Sequence, residues 1–162
     1  MRRLPLLAFA VLAGCSPKPV EPWSGPTSAT GSTEHVAIPS LAVTLQVPAG
    51  TDTVHVGAGA TFYVEPDTRR ARSFSLEDGE PAVVHTEPAD SRQEKRLPGG
   101  AKIRYELRSF EGGSGGAESF LDGAMVVDQQ VLAVHCHDQA EAPAKPSAEW
   151  CLEWLATVRG AR

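Results

Sequence analysis

From Val36 onward, apolar and polar positions alternate in short runs that glycine and proline interrupt. Leu41, Val43, Leu45 and Val47 alternate with Ala42, Thr44 and Gln46, the period of a half-buried strand. Thr53–Val56 and Thr61–Val64 predict two further short strands, separated by Gly57 and Gly59 and ended by Pro66. Ser73–Leu76 and Ala82–Thr86 flank Glu77-Asp78-Gly79-Glu80, where Asp-Gly predicts a tight turn because glycine accepts positive φ. Lys102–Phe110 is the clearest strand, with Ile103, Tyr105 and Leu107 inward and Lys102, Arg104, Glu106 and Arg108 outward. Met125–His137 predicts a long strand or a bent pair.

The period changes once, at the C-terminus. Cys151, Trp154, Leu155 and Val158 recur at helical spacing, and Trp150 widens their face. Ser147 is placed to cap such a helix, Glu149 suits its first turn, and Gly160 is placed to stop it. No internal repeat is present. The pattern predicts an α+β fold, a mostly antiparallel β-sheet with one C-terminal amphipathic helix packed on it.

The N-terminus follows none of these periods. Met1-Arg2-Arg3 is basic, Leu4–Leu12 is apolar, and Ala13-Gly14 supplies the small residues of a signal-peptidase site. A bilayer-spanning helix needs about 20 apolar residues, so this run is too short to be one. Leu12-Ala13-Gly14-Cys15 resembles the lipobox of bacterial lipoproteins. An ordinary secretory signal with an incidental cysteine is the alternative. The resemblance implies that the Cys15 thiol receives a diacylglyceryl group, that cleavage precedes Cys15, and that its new amine is acylated. Two or more acyl chains anchor a protein stably where one does not. Ser16, in place of an aspartate, implies the outer membrane, with the body facing the periplasm. Ser16–His35 is rich in Pro, Ser, Thr and Gly and reads as a tether reaching roughly 25 Å by coil scaling. Trp23 within it is either an interfacial contact or a lone exposed aromatic. The expected layout is a signal peptide over 1–14, a lipidated cysteine and tether over 15–35, and one globular domain over 36–162.

The 162 residues carry a net charge of −5. Loss of residues 1–14 removes Arg2 and Arg3, leaving 13 basic against 20 acidic residues and a charge of −7. An acidic chain without a basic stripe is a poor nucleic-acid binder, so no nucleic-acid partner is expected. With Cys15 assigned to lipid, Cys136 and Cys151 remain, at the end of the last strand and early in the helix. A helix folding back over its own strand would bring them within reach of a disulfide, a bond that persists in exported proteins. Two buried free thiols are the alternative.

Four further groups carry candidate chemistry. His135 and His137 share one face of a strand and offer a ligand spacing for Zn or Cu, although a third ligand is not evident. The alternative is a pair of solvent-facing histidines at a sheet edge. Gly112-Gly113-Ser114-Gly115-Gly116 formally satisfies G-x-S-x-G, but it joins two strand-like segments and lacks the strand-to-helix context of a nucleophile elbow. It reads instead as an exposed loop bounded by Glu111 and Glu118, suited to touching a protein partner through Glu111, Ser114 and Glu118. Glu111, Glu118 and Asp122, or Glu77, Asp78 and Glu80, could offer oxygens to Ca²⁺ without the spacing of an EF-hand. Arg69-Arg70-Ala71-Arg72 reads as a solvated surface or a patch for an acidic partner.

No complete triad, carboxylate pair or ligand set is present, so the expectation is a non-catalytic protein-binding lipoprotein with no required cofactor. An envelope hydrolase or metal-binding enzyme, or a structural envelope lipoprotein, is the alternative. The layout of Leu41–Arg159, with its many strands, glycine-rich loop, Cys136/Cys151 pair and Trp-rich closing helix, resembles the periplasmic immunity lipoproteins of type VI secretion. That resemblance implies a PsbP-like fold and inhibition of a secreted peptidoglycan hydrolase, in some members with bound calcium.

Overall fold

The computed structural model describes residues 31–67, 70–80, 92–111, 116–141 and 144–161. Cys15, Trp23, Arg69, residues 82–86 and Ser114 lie outside them. Strands β1 (Thr33–Ile38) and β2 (Val43–Pro48) pair antiparallel, and β1 begins inside the stretch expected to be tether. Next come β3 (Asp52–Val56), β4 (Gly59–Asp67), β5 (Arg70–Asp78) and β6 (Arg92–Arg96). They are followed by β7 (Lys102–Glu111), β8 (Gly116–Val127) and β9 (Gln130–Glu141). The last elements are a 3₁₀ turn (Ala148–Cys151), the four-residue helix α1 (Leu152–Leu155) and β10 (Arg159–Gly160). The fold is the expected mostly antiparallel sheet with one short C-terminal helix.

Two sheets form. One has the order β1-β2-β10 and the other β3-β4-β5-β9-β8-β7-β6. The large sheet buries one face: Phe62, Phe74, Leu76, Leu121, Met125 and Leu132 join Val43, Leu45 and Val47 of the small sheet and Leu155 of α1 in one core. Phe62 and Phe74 stack there with ring centroids 4.6 Å apart. The other face of the large sheet carries the polar residues of each alternation.

Met125–His137 proves to be parts of two strands. Asp128 and Gln129, at φ of 46° and 74°, form a two-residue turn between β8 and β9. Positive φ at both positions suits the twist of a hairpin, but neither residue is the glycine that would have signalled it. The residues before Asp78-Gly79 pair with β9 as well as β4, so β5 lies inside the sheet.

The helix is shorter than expected because the chain must reach a sheet edge. Thr157 holds the reversal: its hydroxyl donates to the Trp154 carbonyl at 2.6 Å and accepts the Gln46 amide at 2.9 Å. Arg159 and Gly160 then pair with β2. Gly160 does not end a helix; a Cβ there would lie 2.3 Å from the Asp128 carboxylate. Ser147 does not cap through its side chain. Its amide donates to Asp138 Oδ2 at 2.9 Å, and the Ala148 amide donates to Ser119 Oγ at 3.0 Å. The acceptors that start the turn thus come from the strands beneath it. Cys136 of β9 is bonded to Cys151 of this turn, with their Cα atoms 6.3 Å apart.

Candidate functional site

The strand registers arrange the uncovered face of the large sheet in cross-strand rows. One row runs Tyr63, Ser73, His137, Phe120 and Arg108 over β4, β5, β9, β8 and β7. The next runs Thr61, Ser75, His135, Asp122, Glu106 and Arg92, ending on β6. Between β6 and β8 the face is hollowed into a groove of ≈ 490 Å³ beside Arg92, Glu94, Lys102, Arg104 and Val126. Ala124 lines its floor, where a small side chain leaves room.

Asp122 is the electrostatic centre of this face. Its carboxylate is 9 % exposed and accepts from Arg108 Nη2 on one oxygen and from His135 Nδ1, at 2.7 Å, on the other. Burial alone would raise the Asp122 pKa, but the hydrogen bonds from His135 and Arg108 outweigh it and hold the carboxyl below its ordinary value. The hydrogen bond to Asp122 in turn raises His135 above its ordinary value, against the opposing effect of burial. Glu106, 6 % exposed, accepts from Arg92 Nε at 2.9 Å. On the core side of β7, Tyr105 reaches Glu149 Oε1 at 2.9 Å, and burial with that carboxylate pushes its pKa up to about 12.

The Asp122–His135 pair sets a pH dependence. His135, raised, stabilises the fold fully below its unfolded pKa near 6.5, and that contribution is lost as pH rises through the folded value. Asp122, lowered, contributes above its unfolded pKa near 3.8 and loses the contribution on further acidification. The pair therefore stabilises most between those two values. Urea midpoints of the wild type and His135→Gln are expected to differ most between the two unfolded values, and the gap is expected to narrow as pH rises through the raised folded value of His135. A gap that widens on the alkaline side would contradict this account.

The histidines do not lie at a sheet edge. They sit on β9, the central strand, and are about one-third exposed. His137 stacks on Phe120 with centroids 4.6 Å apart, and its Nε2 is 3.8 Å from Glu118 Oε2. Among the described residues, no three His, Cys, Asp or Glu side chains gather into a group able to hold a metal. Ser75, His135 and Asp122 share a row and are the residue types of a hydrolytic triad. Asp122 holds His135 Nδ1, but no hydrogen bond joins Ser75 to His135.

Glu118 and Glu111 bound the β7–β8 connection as the sequence suggests, but alternation puts them on opposite faces. Glu118 pairs with Phe110 on the uncovered face, whereas Glu111 pairs with Ala117 on the other. Sequence reasoning missed Arg108, Asp122 and Phe120 as partners of the histidines. Their alternation assigns a face, but only the β7–β8–β9 register makes them neighbours.

A family model, the type six secretion immunity 3 (Tsi3) domain, matches residues 44–159. The chain belongs to this family. The Tsi3 domain thus spans β2 to β10 and includes every residue of the face just described. Residues 44–159 are thus a type VI secretion immunity domain. No curated protein matches the chain. A crystal structure of a protein from Bacteroides thetaiotaomicron VPI-5482, determined at 1.50 Å, has a similar fold at TM-score 0.51 and 14 % identity. The similarity covers 80 % of this chain and 48 % of that one, so the Tsi3 chain spans about half the length of its structural relative.

Proposed function

We propose that the protein is a lipid-anchored periplasmic immunity protein that neutralises a secreted cell-wall hydrolase by binding it, without catalysing a reaction itself. The family match over residues 44–159 is the observation that carries this reading. The Leu12–Cys15 lipobox supports the anchor: residues 1–14 as a cleaved signal, Cys15 as the acylated residue and the following stretch as a tether to the outer membrane. In this arrangement the binding body stands in the compartment a cell-wall hydrolase must enter. Glu111 at the end of β7 and Glu118 near the start of β8, which flank Ser114 in the sequence, add carboxylates to this end of the sheet. Acidic side chains there complement a cationic or sugar-binding cleft.

Cys15→Ala is expected to move the protein from the membrane to the soluble periplasmic fraction. Membrane association that survives the substitution would refute the anchor. For neutralisation, a secreted cell-wall hydrolase of the same organism, sought first in the genes flanking this one, is directed to the periplasm with and without the full chain. Rescue of growth by the chain is expected. Unrelieved lysis, or release of peptidoglycan fragments by the purified body alone, would overturn the immunity reading.

A further inference from the structure

The uncovered face holds a row of aromatic rings that the fold does not require. Phe110 is 54 % exposed, at the end of β7 where Ser109 and Glu111 are exposed too. Its ring meets the edge of Phe120 at 5.8 Å and 70°. Phe120 in turn stacks on His137 at 15°. The three rings thus cross β7, β8 and β9 as one step. Glu118 lies directly opposite Phe110 in the register, with its side chain 44 % exposed. His137 Nε2 has no hydrogen-bond partner, the Glu118 oxygen lying beyond bonding distance.

This is a receptor of definite chemistry. An exposed ring beside a carboxylate suits a guanidinium, which stacks on an aromatic face and binds an anion through its planar fork. The face already shows that pairing internally: the Arg108 guanidinium lies 5.9 Å from the Phe120 ring centre while bound to Asp122. A purely apolar occupant would bury the Glu118 carboxylate without a counter-charge, at a desolvation cost. The charges on this face lean the same way, since Glu141 is also exposed on it and Arg108 is neutralised by Asp122.

Building on the immunity reading above, we infer that Phe110, Phe120, His137 and Glu118 form the anchor that seats an arginine on a basic surface of the toxin. The ring of Phe110 takes the guanidinium face, Glu118 takes its N–H groups, and Phe120 with His137 fixes the position of both. Buried aromatic and arginine anchors dominate binding energy in protein interfaces. Asp122 and Arg108 act one step behind, holding the face that Phe120 rests against.

The test uses the full chain without its lipid and the hydrolase that it protects against in the growth assay above, or failing one the flanking-gene candidate, by calorimetry. Phe110→Ala is expected to weaken binding at least about 30-fold, and Glu118→Gln about 10-fold with a reduced salt dependence. Both sites are partly exposed, and circular dichroism with a thermal melt verifies that each variant is folded. If the wild type binds and both variants stay within about threefold of it, the anchor is refuted while the immunity reading stands. If the wild type does not bind, the immunity reading fails. The anchor is then judged by amide chemical shifts with acetyl-Gly-Arg-Gly-amide, its lysine and glutamine analogues, and chitotetraose. Larger shifts at Phe110, Glu118 and Phe120 with the arginine peptide support it; equal shifts with all peptides, or a preference for the sugar, overturn it.

Discussion

Asp138→Ala is expected to lower the unfolding free energy by about 3 kcal/mol, the range for removing one charged partner from a buried network. Asp138 is fully buried on the core face of β9. One carboxylate oxygen accepts the Ser147 amide, and the other lies 3.5 Å from Arg72 Nε. The Arg72 guanidinium in turn lies 5.2 Å from the Trp150 ring centre. One side chain thus starts the 3₁₀ turn, faces a cation and keeps Trp150 against Phe74, whose rings meet edge-on at 6.0 Å. Asp138→Asn keeps an oxygen for the Ser147 amide but loses the charge that faces Arg72, so its loss should be smaller. Urea unfolding of the two variants tests the order. An alanine variant no less stable than the asparagine variant would show that the amide cap carries none of the effect.

The disulfide acts on the same turn from the other side. Cys136 is 2 % exposed and Cys151 is fully buried. Their bond closes a loop with a sequence separation of 15, worth about 3 kcal/mol in the chain-entropy model. The double variant Cys136→Ala, Cys151→Ala is expected to lose about that amount, and added reductant should then have no further effect on it. The native protein should resist mild reductant until it unfolds, because neither sulfur is open to attack. If Asp138 and the disulfide hold one element, the losses in the combined variant should fall short of additivity. Additive losses would separate the two.

Much of this was legible before any coordinates. Alternation marked β2, β7 and parts of β4, β5 and β9, and it put Ile103 and Tyr105 inward. The pairing of Cys136 with Cys151 followed from a count of three cysteines once Cys15 was assigned to lipid. The failures have physical reasons. Asp128-Gln129 turns the chain with two non-glycine residues at positive φ, so no local signal split the long strand. The predicted helix shrank to Leu152–Leu155 because Thr157 and the edge of β2 redirect the chain, an influence helical periodicity cannot register. Ser147 looked like the cap, but the acceptors are Asp138 and Ser119, 9 and 29 residues from the Ser147 and Ala148 amides they accept.

The chain by itself thus determines the class of fold, the face each strand residue takes and the even cysteine pair of the body. Period-two patterning is a local property, and residue chemistry at fixed spacing is another. What sits beside what across strands is neither. Asp122 meets Arg108 and His135, and Phe110 meets Phe120 and Glu118, only because β7, β8 and β9 pair in one register. A slip of one residue would send each of these side chains to the opposite face. The packed core on the far side of the sheet fixes that register, so the tertiary structure alone decided which side chains the uncovered face brings together.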